Sequence, residues 1–440
     1  MILKRAWRAT LVAGVVCSAG LAASAAAAAS ATPAWGTTTS APAGTLADLF
    51  GVAASSSSDV VAVGGYNPGE FPTALLTRPY AEHWNGSRWA ATTVPLASVY
   101  SGQAAQLNGV AEVAAGDGWA VGTVSDPSSL ASKTLAYHWN GSTWQRVPAP
   151  NPAGPSQGNE LAAVAARASN DVWAAGGDGA YPQASLVLHW NGSTWTQVRV
   201  PSIGALDAVT VTSGNVWAAS GNKVEQFNGS AWTSLPPLPG SVSIAGLAHT
   251  AAGLWAVGYS SFSCGEGGTC TVSYAALWNG AAWTTVPSGG GTELSGVVAA
   301  GSAVLATGGT GVWQLSTTAA TPQIIPTQNP PQLNAIGADP AGHPWAVGSA
   351  SSAPAIINAP GIGQGGILVD AGAANATVTW TGPATGTGST AVNGTFATGG
   401  LPDGRYTVTT GLSGCQPGVA TAKVTAGQVT PVTAKVVCPP

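Results

Sequence analysis

Leu161-Ala-Ala-Val164, Asp171-Val-Trp-Ala-Ala-Gly176 and His189-Trp-Asn-Gly-Ser-Thr-Trp195 are successive parts of one unit that recurs along this chain of 440 residues. Each part joins β-branched, aromatic and small apolar residues, which is typical of a β-strand. A fourth part begins at Trp195 and reaches Val198. The unit therefore predicts four consecutive strands.

The unit occurs seven times. Its first strand opens at Leu49, Leu107, Leu161, Leu206, Ile244, Leu294 and Leu333, and its second strand ends at Gly64, Gly122, Gly176, Ser220, Gly258, Gly308 and Gly348. Two residues after each opening position stands Gly or Ala, which predicts crowding around a central axis. Four antiparallel strands repeated every 40–50 or so residues are the signature of a β-propeller blade.

Asn-Gly pairs separate the third and fourth strands in five units, at Asn85, Asn140, Asn191, Asn228 and Asn279. Such a pair between β-type residues predicts a tight hairpin with a type I′ turn. The seventh unit ends near Asn358 without a fourth strand. Residues 34–42, which include Trp35, are expected to supply it. The predicted fold is all-β: a seven-bladed β-propeller closed by an N-terminal strand, followed by a small C-terminal β-sandwich.

The N-terminus has the composition of an export signal. Lys4, Arg5 and Arg8 precede an uncharged Ala-rich run, and Ala29-Ser30-Ala31 offers a cleavage site. An uncleaved membrane anchor is the alternative. No later apolar run approaches the ~20 residues that span a bilayer. Removal of residues 1–31 leaves 10 basic and 17 acidic residues, a net charge of −7. This charge argues against nucleic acid as a partner.

The predicted organisation is a signal peptide at 1–31, the propeller at 32–359, a linker at 360–366 and the sandwich at 367–440. The expected location is secreted or extracellular, with cell-surface association left open. Four cysteines remain after export, and an even count suggests disulfides. Cys264 is expected to pair with Cys270 and Cys415 with Cys438, because the two pairs lie in different predicted domains.

The propeller region resembles the kelch and galactose-oxidase type, with Gly-Gly at Gly64-Gly65, Gly176-Gly177 and Gly308-Gly309. The C-terminal region is similar to the carboxypeptidase regulatory-like, or Cna-B-type, domain. Gly394-Thr-Phe396, Leu401-Pro-Asp-Gly-Arg-Tyr406 and Thr425-Ala-Gly-Gln428 carry that likeness. The resemblance implies two small packed sheets.

Several residues attract a catalytic or metal-binding interpretation. His83, His138 and His189 recur on third strands, too far apart on separate blades to share a metal, so a structural role is predicted. Asp59, Asp117, Asp171 and Asn215 recur before second strands, where turn capping is the expected role. No metal site, cofactor or known catalytic set is predicted.

Strand direction predicts two unlike ends of the propeller. The second-to-third connections share one end and vary greatly in length, which is where binding residues are usually found. The predicted ligand-binding residues are Tyr66, Glu70, Phe71, Asp126, Asp178, Tyr181, Tyr259 and Phe262. The predicted function is a non-catalytic, monomeric binding protein for an extracellular glycan or protein.

Two alternatives to the binding function stay open. The first is an extracellular enzyme, a hydrolase, lyase or oxidase, with Asp48, Glu160, Asp207 and Glu293 at the channel mouth. The second is a purely structural component of the cell envelope.

Overall fold

The structure is a computed structural model, and the residues that it describes fall into separate ranges. They are 36–38, 47–67, 77–96, 102–126, 129, 131–264, 268–289, 293–323, 331–350, 353–358, 365–383, 385–390, 394–401, 404–424 and 429–439. The predicted signal peptide and Trp35 lie outside them. No helix in these ranges has the length and apolar character needed to cross a membrane.

Strands account for the regular structure. The first is β1 (Gly36–Thr38). Six groups of four consecutive strands follow, called sheets 1 to 6. Sheet 1 contains β2 (Ala47–Ser56), β3 (Asp59–Tyr66), β4 (Arg78–Trp84) and β5 (Trp89–Thr92). Sheet 2 contains β6 (Ala104–Ala114), β7 (Asp117–Ser125), β8 (Ser132–Trp139) and β9 (Trp144–Arg146). Sheet 3 contains β10 (Gly158–Ala168), β11 (Asp171–Gly179), β12 (Ala184–Trp190) and β13 (Trp195–Gln197).

The next sheets repeat this order. Sheet 4 contains β14 (Ala208–Val211), β15 (Val216–Ser220), β16 (Lys223–Phe227) and β17 (Trp232–Ser234). Sheet 5 contains β18 (Val242–Thr250), β19 (Gly253–Ser263), β20 (Thr269–Trp278) and β21 (Trp283–Val286). Sheet 6 contains β22 (Gly296–Ala300), β23 (Ala303–Gly308), β24 (Gly311–Leu315) and β25 (Ala320–Gln323). Sheet 7 contains β26 (Gln332–Ala338), β27 (Pro344–Ala350), β28 (Ala353–Asn358) and β1.

These sheets form a closed ring. The first strand of each sheet contacts the first strand of the next, and β26 of sheet 7 contacts β2 of sheet 1. The N-terminal strand completes sheet 7 as predicted, because Gly36 pairs with Asn358 and Thr38 with Ile356. A ring of four-stranded antiparallel sheets around a common axis is a β-propeller fold.

Small residues around the axis are explained by backbone contact between sheets. A Cβ atom built on Gly51 would lie 3.1 Å from the Cα of Gly109, and one on Gly246 would lie 3.3 Å from the Cα of Gly296. Larger side chains at this position would push neighbouring inner strands apart. The crowding predicted from the sequence is therefore confirmed.

The glycine that ends the second strand is required for a different reason. The first strand carries a bulge in five sheets, for example between Leu107 and Gly109. Beside it, a Cβ atom on Gly122 would lie 2.0 Å from the carbonyl oxygen of Gln106. Equivalent glycines in sheets 1, 3, 5, 6 and 7 meet the corresponding carbonyl at 1.8–2.0 Å. The paired residues of sheets 4 and 6 show no such bulge, yet sheet 6 keeps Gly308 whereas sheet 4 carries Ser220.

The Asn-Gly hairpins differ from the prediction. Gly86, Gly141, Gly192, Gly229 and Gly280 have positive φ, but the preceding asparagines do not. A type I′ turn needs positive φ at both positions, so that expectation was wrong. The asparagine instead caps the turn with its side chain: Asn191 Oδ1 accepts hydrogen bonds from the backbone N–H groups of Ser193 and Thr194, at 3.0 and 2.9 Å.

The C-terminal region forms two further sheets. One contains β29 (Gly365–Asp370), β32 (Thr395–Leu401) and β35 (Val429–Thr433), with β29 central and parallel to β35. The other contains β30 (Thr377–Thr381), β31 (Gly386–Ser389), β33 (Gly404–Gly411) and β34 (Gly418–Val424). Ile367, Val378, Val408, Val424 and Val432 belong to one buried cluster drawn from both sheets. The first strand begins at Gly365, inside the predicted linker.

Both expected disulfides are present. Cys264 is bonded to Cys270, and Cys415 to Cys438. The first closes the connection between β19 and β20. The second joins the connection after β33 to the chain end, where Gln416 and Val437 also pair.

Candidate functional site

The two ends of the ring differ in their connections. At one end, called the turn face, lie the first-to-second and third-to-fourth connections, including the Asn-Gly turns. At the other, called the loop face, lie the second-to-third connections and the crossings between sheets. In sheets 4 and 6 the second-to-third connections are only Gly221-Asn222 and Gly309-Thr310, whereas sheet 5 has a long hairpin. The loop face is therefore uneven, as the sequence predicted.

Some of the predicted ligand-binding residues are exposed, and others are half-buried. Tyr181 is 69% exposed, and Phe262 is 49% exposed. Tyr66 is half-buried at the end of β3, where its ring lies 5.9 Å from that of Tyr80. Tyr66 thus ends a strand and makes a packing contact there, and its ligand-binding role stays a prediction.

The remaining predicted residues are less accessible or are not described. Asp178 and Tyr259 lie within β11 and β19 and are half-buried, and burial raises the pKa of Asp178. Asp126 is half-buried in a turn that its backbone closes with Ala131, at 3.2 Å. Glu70 and Phe71 lie outside the described residues.

An exposed apolar surface stands on the hairpin of sheet 5. We call residues Tyr259–Ser273 the ribbon, excluding residues 265–267. Phe262 pairs with Cys270, and Ser260 with Val272. Paired residues share a face of a sheet, and so do residues two apart. Phe262 and the 42% exposed Val272 therefore lie diagonally on the same face. Val272 was not predicted from the sequence, since its exposure depends on how far the hairpin projects.

One edge of the ribbon has no neighbouring strand among the described residues. β21 pairs with β20 only between Ala275 and Trp278. On the opposite side, β18 follows β19 as far as Ser260, and Ser261 donates its N–H to the carbonyl of Ser241 at 2.9 Å. Among the described residues the backbone of Thr269–Val272 is consequently an open strand edge, and the Cys264–Cys270 bond closes the tip of the hairpin.

The carboxylates of the enzyme alternative lie near the inner strands at the loop face. Asn334 Nδ2 donates to Asp48 Oδ1 at 2.7 Å and to the carbonyl of Leu49 at 2.9 Å, joining sheet 7 to sheet 1. Burial raises the pKa of Asp48 to about 6, against hydrogen bonds from Ser349 and Asn334 that lower it.

The other three carboxylates do not converge with Asp48 in a metal-type cluster. Glu160, Asp207 and Glu293 each take part in a polar or electrostatic interaction. No group of three or more His, Cys, Asp or Glu side chains suited to a metal occurs in the described ranges.

Histidine–aspartate pairs recur near the turn face. Nε2 of His83 lies 2.5 Å from Asp59 Oδ1, and Nε2 of His138 lies 2.8 Å from Asp117 Oδ1. In sheet 4 the pair is replaced by Gln226 and Asn215, at 2.9 Å. The predicted turn-capping role of these Asp and Asn residues was therefore wrong: they tie the start of the second strand to the third strand.

The sheet 3 pair is the most fully bonded. Asp171 accepts from Arg167 Nε at 2.7 Å and from Trp173 Nε1 at 2.7 Å, and it lies 3.0 Å from His189 Nε2. Burial opposes ionisation of Asp171, but these hydrogen bonds outweigh it and lower the pKa. Arg167 also donates to the carbonyl of Thr212 in sheet 4, at 2.9 Å. The pair is thus connected through Arg167 to the neighbouring sheet.

A buried carboxyl group joins sheets 1 and 2. Ser55 donates its backbone N–H to Glu112 Oε2 at 2.9 Å, while Oε1 is inaccessible and has no hydrogen-bond partner among the described residues. Burial, aided by the charge of Asp59, raises the pKa of Glu112 to about 9. A raised pKa favours the protonated form of Glu112 at neutral pH.

Comparisons with known proteins give structural likeness only. No protein-family model matches the chain, and no curated protein matches it. A solved structure of YCF48 bound to D1 peptide is 15% identical, with a TM-score of 0.48, and the match covers 75% of this chain and 99% of that one. The Pan2 WD40 domain of Neurospora crassa is 10% identical, with a TM-score of 0.49, covering 71% and 89%.

Proposed function

We propose that this chain is an exported, monomeric interaction protein that captures an extracellular partner protein on the ribbon of sheet 5. The observation that carries the proposal is the exposed apolar pair Phe262 and Val272 beside an open strand edge. Large apolar side chains exposed together mark interaction sites more often than isolated ones do. The two disulfides are compatible with an oxidising location outside the cell.

The proposed scaffold is a seven-bladed propeller, of kelch or galactose-oxidase type, spanning residues 32–359. It is followed by a linker and a Cna-B-type sandwich at 367–440. The seven sheets between residues 36 and 358, and the core shared by the last two sheets, support this division. An export signal at residues 1–31 fits the disulfides.

The proposed binding mode is the addition of an extended segment to the edge at Thr269–Val272. Main-chain hydrogen bonds to a strand edge provide affinity, and side-chain contacts provide specificity. Phe262 and Val272 would supply an apolar contact on one face. The disulfide reduces the conformational freedom of the ribbon before binding, which lowers the entropy lost on association.

A glycan is the competing ligand, and Tyr181 is the residue that favours it. An exposed tyrosine offers a flat apolar ring with a hydroxyl group at its edge, which suits sugar rings as well as peptides. Tyr181 lies in sheet 3, whereas the ribbon lies in sheet 5. Substitution can therefore separate the two ligand classes.

The test presents residues 32–440 to a peptide array and a glycan array, and it measures hits by titration. Phe262→Ser and Tyr181→Ala are the test variants. Val419→Ser is the control, because Val419 is equally apolar and exposed but lies on β34. Loss of peptide binding in Phe262→Ser alone supports the proposal. Glycan binding that depends on Tyr181 contradicts it, and so does the absence of any ligand.

A further inference from the structure

A groove opens on the outer rim of the ring between sheets 3 and 4. It has a volume of about 620 Å³. One wall is the extended segment that follows β13, and the other is the hairpin that ends in β17. We call it the rim groove, and its lining residues are Val198, Arg199, Val200, Pro201, Phe227, Ser230, Ala231 and Trp232. None of these residues belongs to the ribbon or to the predicted ligand-binding set.

Side-chain hydrogen bonds cross other joints of the ring. Between sheets 1 and 2, Trp144 Nε1 donates to Thr92 Oγ1 at 3.0 Å, and the hydroxyl of Tyr137 donates to the carbonyl of Pro95 at 2.9 Å. Between sheets 4 and 5, Trp283 Nε1 donates to the carbonyl of Pro236 at 2.9 Å. These bonds hold the crossing segment against the next sheet.

The corresponding bonds are missing between sheets 3 and 4. Trp89 and Trp195 likewise have no partner for Nε1 among the described residues, so the missing bonds accompany the groove and do not by themselves open it. Trp232, the counterpart of Trp144, has no hydrogen-bond partner for Nε1 within the described ranges. Glu225 takes the position of Tyr137, since each pairs with the alanine that follows the tryptophan of the second strand. Its carboxyl accepts from Ser234 Oγ in its own sheet, at 2.7 Å. The segment Val198–Pro201 is therefore not tied to sheet 4 by either side chain.

The chemistry of the rim groove combines an aromatic surface with one positive charge. The rings of Phe227 and Trp232 are half-buried, with centroids 5.2 Å apart. Arg199 is exposed and makes no hydrogen bond or ion pair with any described residue. Arg78 and Arg167, by contrast, are both bonded to neighbouring groups. An arginine without a partner, in an acidic chain, is free to bind an external anion.

We propose that the rim groove binds an acidic sugar unit, a hexuronate, within an extracellular polysaccharide. The apolar face of a pyranose ring can pack on the accessible part of the Phe227 and Trp232 rings. The planar guanidinium group of Arg199 suits a carboxylate, which it can hold with two parallel hydrogen bonds. Ser230 adds a hydroxyl group for the ring substituents. The groove is of the size found for small-ligand sites.

The experiment titrates residues 32–440 with uronate trisaccharides (galacturonate, glucuronate and mannuronate) by calorimetry at low and moderate salt. The methyl ester of each trisaccharide is the neutral control. We expect at least one acid form to bind, its methyl ester to bind about tenfold more weakly, and added salt to weaken the acid form.

Variants then locate the site. Arg199→Ala is expected to weaken binding about tenfold, whereas Arg88→Ala, which removes an exposed arginine from a turn of sheet 1, leaves it unchanged. Ala231→Trp fills the groove from an exposed turn and should abolish binding, with the unfolding temperature showing that the variant is folded. Three results overturn the proposal: no uronate binds, the esters bind equally well, or Arg199→Ala and Ala231→Trp both bind normally.

Discussion

Replacing Gly122 by alanine tests the packing rule that the repeated second-strand glycine reveals. The new Cβ atom would lie 2.0 Å from the carbonyl oxygen of Gln106 and 2.8 Å from the Cα of Leu107. Both neighbours are backbone atoms, so no side-chain rotation relieves the contact. The two strands must separate by about 1 Å before the contact reaches 3.0 Å, below which real Cβ atoms are essentially never found.

Two opposing effects set the expected magnitude for this substitution. Overpacking a close-packed interior costs about 1–3 kcal/mol, and rigid backbone neighbours place Gly122→Ala at the upper end. Removing a glycine from a strand contributes about 0.5–1 kcal/mol in the stabilising direction. We expect a net loss of about 2 kcal/mol, and a fall of about 3 °C in the unfolding temperature of a ring of this size.

The assay is thermal unfolding of the variant, together with amide exchange of β6 and β7. Ser220→Ala is the matched control, because sheet 4 already carries a Cβ atom at this position. The control should change the unfolding temperature little, and Gly122→Ala should raise exchange first in sheet 2. A variant as stable as the parent chain, or more stable, would refute the steric explanation, because only the favourable backbone effect would then remain.

Three further predictions follow from the same contacts. Asp48→Asn should raise the unfolding temperature at pH 7.5 but not at pH 4.5, as measured by scanning calorimetry. The raised pKa of Asp48 means that the folded state favours the protonated carboxyl. The parent chain therefore loses stability as pH rises from about 4 to 6, and the asparagine variant does not. Asp171→Ala should destabilise the chain by about 2 kcal/mol at neutral pH in denaturant titrations, and less below pH 4, because the lowered pKa makes the stabilising anion disappear on acidification. Replacing Cys264 and Cys270 by serine should speed amide exchange in the ribbon while the unfolding temperature of the ring changes by less than about 2 °C; equal exchange would show that the bond does not hold the ribbon.

Sequence pattern was sufficient for the repeating architecture. The Leu-x-small motif and the Trp-Ala-Val-Gly motif mark the ends of strands, because side-chain alternation and chain punctuation are local properties. The same reasoning placed the N-terminal strand beside Ile356 and Asn358, since an incomplete sheet needs a fourth strand. It also paired the cysteines, because each pair falls within one predicted domain.

The sequence pattern did not predict contacts between side chains on different strands. The recurring Asp and His residues were each interpreted alone, although Asp171 and His189 meet across neighbouring strands. The packing of the Tyr66 ring on Tyr80 joins two strands and was likewise not predicted.

Periodicity in the chain thus determined how many strands each unit has and in what order they run. The tertiary structure alone decided which aromatic rings are exposed and where a groove opens between neighbouring sheets. Exposure of Phe262 depends on how far β19 and β20 project past β21, and the rim groove depends on how the segment after β13 lies against the hairpin between β16 and β17. Both properties depend on contacts between segments that are distant in sequence, so the sequence of one segment cannot predict them.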